Sequence, residues 1–381
     1  MSVGASGVAR WGSGEPRPTI SRGAATPARP APDLRFPTSR DVAPDSRPTT
    51  PDSIRSRCFH LLDRFTLESG VELRDVRQAY YLDGALNAAR DNVVVVFHAL
   101  TGSADAAGDW WRDVVGPGLA IDTDRHAVLC ANLLGSCYGT TATPPDDAPF
   151  PLVTTRDMAA LVRRLLDALR IPAAALVVGG SLGGMVALEF VAANPAFARN
   201  AVIFAAPAAH TASAIAWNHV QRRAIQLAGI DGLELARMAA MITYRTPTEF
   251  DRRFGRAAHP EGGFAVARYL EHHGTRLRDR FDVASYLRLI DAMDSHDVAR
   301  GRGSVADALS QVGDRLTGVG IPGDLLYSAA DVRGWTWAAG ASYREIHSEY
   351  GHDAFLKEPE QVAAILADVL STAPASLQPN R

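Results

Sequence analysis

Ser181 stands in Val178-Gly179-Gly180-Ser181-Leu182-Gly183-Gly184-Met185. Before it runs the apolar Ala175-Leu176-Val177-Val178, short and β-branched enough for a buried strand. After it, Met185 to Ala193 holds helix formers and no breaker. Gly-x-Ser-x-Gly at a strand-to-helix junction is a nucleophile elbow, a turn so sharp that the flanking positions must lack bulky side chains. A serine held this way needs a base and an orienting carboxylate further along the chain. His352, in Ser348-Glu349-Tyr350-Gly351-His352-Asp353-Ala354-Phe355, lies in a loop between the strand-like Tyr343-Arg344-Glu345-Ile346 and the last helix. Two aspartates compete for the third place. Asp324 follows the strand candidate Leu316 to Ile321, but Asp324 to Leu326 could continue that strand, which leaves Asp331 open. Asp324 is the favoured one. In such a set the histidine takes the serine proton, and the aspartate fixes its tautomer and stabilises the imidazolium.

Acyl chemistry at a serine also needs two backbone N–H groups for the oxyanion. Leu182, next after the nucleophile, supplies one candidate. Leu100, in the loop His98-Ala99-Leu100-Thr101-Gly102-Ser103 after Val93-Val94-Val95-Val96-Phe97, supplies the other. His98 closes that strand and reads as structural rather than as a second base. Cys137 has no elbow around it and reads as a structural thiol.

The elements that must position these groups alternate. Phe65-Thr66-Leu67 and Val76 to Tyr80 open as antiparallel strands. Strands follow at 93 to 98 and 127 to 132, a helix at 155 to 170, a strand at 174 to 179, a helix at 182 to 193 and a strand at 200 to 205. Such alternation predicts an α/β fold, a mostly parallel sheet with helices on both faces. Between Pro207 and about Gly303 the strand signal vanishes and helices are read, including Ala212 to Leu227 and Leu233 to Ile242. That places a helical lid at 207–303 between core segments 53–206 and 304–381. Residues 1–52 are rich in Pro, Ser, Thr, Ala, Gly and Arg without a hydrophobic period, and read as a disordered extension.

Composition narrows the function classes. With 381 residues, 47% hydrophobic and 21% charged, the chain is long enough for one large domain with an insertion. A net charge of -3 and the lack of a basic, aromatic-interleaved stretch argue against nucleic acid as partner. No apolar stretch reaches membrane-spanning length, so no membrane partner is expected. Lys357 is the one lysine in a chain whose basic residues are otherwise arginine, which argues against Schiff-base chemistry. Three sparse cysteines, Cys58, Cys130 and Cys137, fit a reducing compartment, and a cytoplasmic location is expected. No metal site is read.

Several segments in order resemble the homoserine O-acetyltransferase family of the α/β-hydrolase superfamily. They are His98 to Ser103, Trp110-Trp111, Val115 to Arg125, Asn132 to Thr141, the elbow, Asn218 to Ile225, Phe281 to Leu287 and Tyr350 to Phe355. The resemblance runs over roughly residues 60 to 370. It implies an α/β-hydrolase fold and acyl transfer from acetyl-CoA to L-homoserine through an acyl-serine, a step of methionine biosynthesis. It implies no bound cofactor, the acyl-CoA (acetyl- or succinyl-) being a substrate. It also implies that Arg222 and Asp353 contact the amino acid, and that a homodimer forms through the lid helices. The chain departs from the family pattern at Leu182, where methionine is usual, and in the short Gln226 to Gly232. It departs again after Tyr327, where proline is usual. Serine as acceptor, succinyl-CoA as donor, and an esterase or thioesterase with the same residues are the alternatives, as is a non-catalytic binding protein. One methylene separates serine from homoserine, about 1–3 kcal/mol of discrimination.

Overall fold

Why the strands form is plain in β3 (Val93–Phe97), five apolar residues that are all buried. Val93, Val95 and Phe97 enter one core and Val94 and Val96 another, the period of two that a strand covered on both faces requires. A computed structural model describes residues 56–145 and 148–371. The expected extension at 1–52 lies outside the described residues.

The chain opens with β1 (Cys58–Thr66) and β2 (Glu72–Asp83), an antiparallel pair. After β3 come two short strands, β4 (Val115–Gly116) and β5 (Ile121–Asp122), which pair with each other. There follow β6 (Ala127–Ala131), β7 (Thr141–Thr143), helix α1 (Thr155–Ala168), β8 (Ala174–Gly180), helix α2 (Leu182–Ala193) and β9 (Ala201–Phe204). Helices α3 (Ala212–Tyr244), α4 (Pro247–Phe254), α5 (Ala265–Arg278), α6 (Val283–Asp294) and α7 (Val305–Leu309) intervene before β10 (Leu316–Gly320). Helix α8 (Ala329–Ala339), β11 (Ser342–Glu345) and helices α9 (Ala354–Lys357) and α10 (Pro359–Ser371) complete the described chain.

Among the described residues the main sheet has the order β1-β2-β6-β3-β8-β9-β10-β11, with β7 paired to β2. From β6 to β11 every pairing is parallel. Residues of α1, α2 and α8 share one core with one face of the sheet, and Val362 and Leu366 of α10 share the other core. Parallel strands bring their following loops to the same sheet edge. The loops after β3, β8, β10 and β11 therefore meet there, and they carry Leu100, Ser181, Asp324 and His352.

The two helices read at Ala212 to Leu227 and Leu233 to Ile242 both lie within α3, on either side of a kink at Gly229, which leaves helical geometry (φ 57°, ψ −122°). Glycine tolerates that positive φ, so one helix ends there and a second begins, and a Cβ on Gly232 would overlap the Ala224 carbonyl of the first. None of the described helices is long and apolar enough to cross a membrane.

Candidate active site

Two glycines shape the turn at Ser181. A Cβ on Gly179 would overlap the Gly183 carbonyl, and a Cβ on Gly183 would overlap the Phe97 carbonyl at the end of β3. The elbow is thus interlocked with itself and with β3. Ser181 takes φ 56° and ψ −126°, a region costly for a residue with a side chain. Its N–H donates to Phe204 O at 3.0 Å, fixing the turn against β9.

The Ser181 hydroxyl lies 2.9 Å from Nε2 of His352. Nδ1 of His352 lies 2.8 Å from Oδ2 of Asp324. The other carboxylate oxygen of Asp324 accepts the N–H groups of Leu326 at 2.7 Å and Tyr327 at 3.0 Å. Asp324 is therefore held on both sides in the turn after β10, which stops at Gly320. Asp331 sits in the first turn of α8, bonded to Ser328, the residue that caps it. The rings of Tyr244, Tyr327 and Phe355 surround the imidazole of His352, with centroids 5.5, 5.3 and 5.9 Å away. Burial by itself lowers the basicity of His352, but the Asp324 carboxylate, with help from Asp353, outweighs it. The net displacement is upward from the ordinary imidazole value.

Leu182 opens α2, so its N–H has no acceptor within the helix. The N–H of Leu100 has no backbone acceptor among the described residues. A cavity of about 390 Å³ borders Ser181, and its lining includes Leu100, Tyr244, Arg245, His352, Asp353 and Phe355.

The model of the α/β-hydrolase fold family matches residues 92–311. A homoserine O-acetyltransferase of Thermobifida fusca is 41% identical over 83% of this chain and 93% of its own length. The chain belongs to the homoserine O-acetyltransferase family. A solved homoserine O-acetyltransferase from Staphylococcus aureus superposes with a TM-score of 0.73 at 30% identity, over 85% of this chain and 97% of that one. The solved esterase E22 superposes with a TM-score of 0.76 at 20% identity, over 83% of this chain and all of the other (100%). The fold is thus common to the homoserine O-acetyltransferase family and to an esterase, and only the site can separate them.

The charged residues that line the cavity differ in part from those expected at the substrate. Arg222 was expected at the amino-acid substrate, yet it does not line the cavity. Its guanidinium holds Asp291 at 2.6 Å and Asp294 at 2.6 Å, both on α6. Asn218, one turn earlier, donates to the same Asp294 at 2.8 Å, and Gln221 accepts the Tyr286 hydroxyl at 2.5 Å. The Asn218 to Arg222 segment joins α3 to α6.

Arg245, which the sequence reading passed over, occupies the cavity instead. It is 6% exposed, and its Nη2 lies 3.1 Å from Oδ2 of Asp353. Its Nε is buried with no hydrogen-bond partner among the described residues. Asp353, expected at the substrate, does line the cavity, and it makes no side-chain cap to α9. The signal for Arg245 is faint. Tyr244-Arg245 stands just before Thr246-Pro247, the cap and first turn of α4, so the arginine is set at a helix junction.

His98 is fully buried, with Nδ1 2.9 Å from the Ala99 carbonyl and Nε2 accepting the Leu133 N–H at 3.0 Å. Burial lowers it to about 4, so it is neutral and donates from Nδ1. It braces the loop that carries Leu100. Cys137 is half-buried and its thiol is pushed up by burial, the opposite of an activated nucleophile.

Proposed function

We propose that this chain is an acyl-CoA-dependent O-acyltransferase that moves an acetyl group to the side-chain hydroxyl of L-homoserine, a step of methionine biosynthesis. The observation that carries the reading is a hydrogen-bonded Ser181–His352–Asp324 line in the same cavity as the opposed charges Arg245 and Asp353. A water-using esterase has no need of a buried cation and anion beside its serine. A zwitterionic amino acid does: the guanidinium takes the carboxylate and the carboxylate takes the ammonium.

The steps follow from the geometry. Nε2 of His352 accepts the Ser181 proton as Oγ attacks the thioester carbonyl. The N–H groups of Leu100 and Leu182 hold the oxyanion. The C–S bond breaks, the thiol of CoA leaves with the proton from His352, and Ser181 is an ester. The acceptor hydroxyl then gives its proton to His352 and attacks that ester. The Ser181 C–O bond breaks and Oγ recovers its proton. Asp324 stabilises the imidazolium in both halves. In this reading the helices at 207–303 act as a lid that keeps water from the ester. The apolar side chains exposed along α3, among them Val220, Leu227, Ile230 and Leu235, are the surface through which two copies pair.

The test is CoA release from acetyl-CoA and from succinyl-CoA, each with L-homoserine, L-serine or no acceptor. Release from acetyl-CoA that depends on homoserine, with one acetyl mass on the Ser181 peptide when the acceptor is omitted, is the expected result. Equal release with and without an amino acid would make the protein a thioesterase.

A further inference from the structure

The steps above leave unused a buried polar pair, His210 and Tyr327. Neither lines the Ser181 cavity. His210 lies in the loop after β9 and Tyr327 in the segment after β10, and the two strands are parallel neighbours, so these loops leave one sheet edge side by side. There Nε2 of His210 stands 3.0 Å from the Tyr327 hydroxyl.

His210 is anchored from the other side. Its N–H donates to the His296 carbonyl at 2.9 Å, and the carbonyl of Ala208 accepts the Val298 N–H at 2.9 Å. Its Nδ1 lies 3.2 Å from Oδ1 of Asp294, the last residue of α6, short of hydrogen-bond alignment. Burial alone would raise the Asp294 carboxyl, but His210, Arg222 and Asn218 outweigh it, and the net displacement is downward. A carboxylate at that place favours the imidazole proton on Nδ1, which leaves Nε2 to accept from Tyr327. The phenol keeps its proton, because burial, then Tyr244, Asp324 and Asp294, push it well up.

Tyr327 in turn touches two members of the reacting set. Its N–H donates to Oδ1 of Asp324 at 3.0 Å, and its ring meets that of His352 edge-on, with centroids 5.3 Å apart. Tyr327 is fully buried, and a buried hydroxyl costs free energy unless it is bonded. A phenylalanine would fill the same space without that cost, so the hydroxyl is explained by its bond to His210. We infer that His210 is a positioning residue for acylation of Ser181: by holding the Tyr327 hydroxyl it fixes the turn that carries Asp324, and so the 2.8 Å contact of that carboxylate with His352. This rests on the proposed Ser181 chemistry and adds the element that keeps its carboxylate aligned. The charged and titratable groups that face His352 are Asp324, Asp353, Tyr244 and Tyr327, and those that face His210 are Asp294, His296 and Tyr327. Of these, Asp324 is the one whose alignment depends on the turn.

The experiment measures kcat/KM for acylation of Ser181 against pH, with acetyl-CoA and separately with p-nitrophenyl acetate, an activated ester that needs no CoA, beside thermal melts. Tyr327→Phe keeps the ring and the N–H and removes the hydroxyl alone. It should lower kcat/KM roughly 5- to 50-fold with both donors, the scale of a small misplacement of a reacting group. The acid limb should also move down toward the ordinary imidazole value, because Asp324, less well aligned, offsets less of the lowering by burial. His210→Asn, whose short amide reaches the Asp294 side, should match it. His210→Gln sets an amide near the place of Nε2 and should return to within about threefold of wild type, with the limb in place. Variants that melt lower yet keep the wild-type kcat/KM and limb overturn the inference, as does a His210→Gln loss as deep as that of His210→Asn. If wild type is acylated by p-nitrophenyl acetate and not by acetyl-CoA, the acyl-CoA reading falls, and the same pH comparison with the ester still decides the role of His210.

Discussion

Replacing Asp324 by asparagine tests the arrangement of His352 at the level of a single proton. One oxygen of Asp324 accepts the N–H groups of Leu326 and Tyr327, at 2.7 and 3.0 Å. An asparagine keeps those two bonds only by turning its carbonyl oxygen toward them. Its NH₂ then faces Nδ1 of His352, where the carboxylate oxygen stood 2.8 Å away. An NH₂ donates, so Nδ1 must accept and the imidazole proton moves to Nε2. Nε2 is the atom 2.9 Å from Ser181 Oγ, and once protonated it cannot take the serine proton. The turn survives and the base is lost. A tautomer inverted in this way lowers turnover on the order of 10⁴-fold, about 5 kcal/mol of activation free energy. The assay is rapid-quench acetylation of Ser181 by acetyl-CoA without acceptor, beside a thermal melt to show that the variant is folded. Asp331→Asn, on the outer face of α8's first turn, serves as the control and should stay within about threefold. A folded Asp324→Asn enzyme that acylates within tenfold of wild type would refute the tautomer argument.

Other outcomes follow from the same geometry. Arg245→Ala should raise KM for L-homoserine roughly 10- to 100-fold, the scale of one or two lost charge-assisted bonds, with Ser181 acylation much less affected. Arg222→Ala should leave that KM unchanged and lower stability by about 1–2 kcal/mol in denaturant unfolding, since it frees α3 from Asp291 and Asp294. Because the Asp324 carboxylate raises His352, the acid limb of kcat/KM for acylation should fall above the ordinary imidazole value. In stability the sign is the reverse: the His352 contribution is full below the unfolded pKa and fades as pH rises through the folded one, which unfolding at a series of pH values reads out. Ser181→Gly relieves the φ of 56° and should raise the melting temperature by about 1–3 °C, while Ser181→Ala should not; neither should carry an acetyl mass.

What could be read from the chain itself depended on whether the cause was local. The elbow was legible because its requirement, no Cβ at Gly179 or Gly183, is met within five residues. The parallel strands were legible because a strand buried on both faces needs an unbroken apolar run such as Val93 to Phe97. Asp324 and Asp331 stayed in competition, since the end of β10 at Gly320 depends on pairing with β9 and β11 and not on the strand's own residues. The partners of the candidate substrate-side arginines were not legible for a related reason. Arg222 lies within α3 and Arg245 in extended backbone just after it, and what separates them is their partners, Asp291 and Asp294 against Asp353, far along the chain.

The interlock of Gly183 with Phe97 also sets when the nucleophile comes into being. The two residues lie 86 positions apart in the chain, and the close approach exists only once β3 and β8 have paired and α2 has docked between them. Until then nothing forces Ser181 out of ordinary backbone conformations, and its hydroxyl is that of any exposed serine. Reactivity is therefore a property of the completed sheet. A nascent or unfolded chain meeting acetyl-CoA is not acylated, and a serine-directed electrophile that labels Ser181 counts finished molecules, in a lysate as in a refolding mixture.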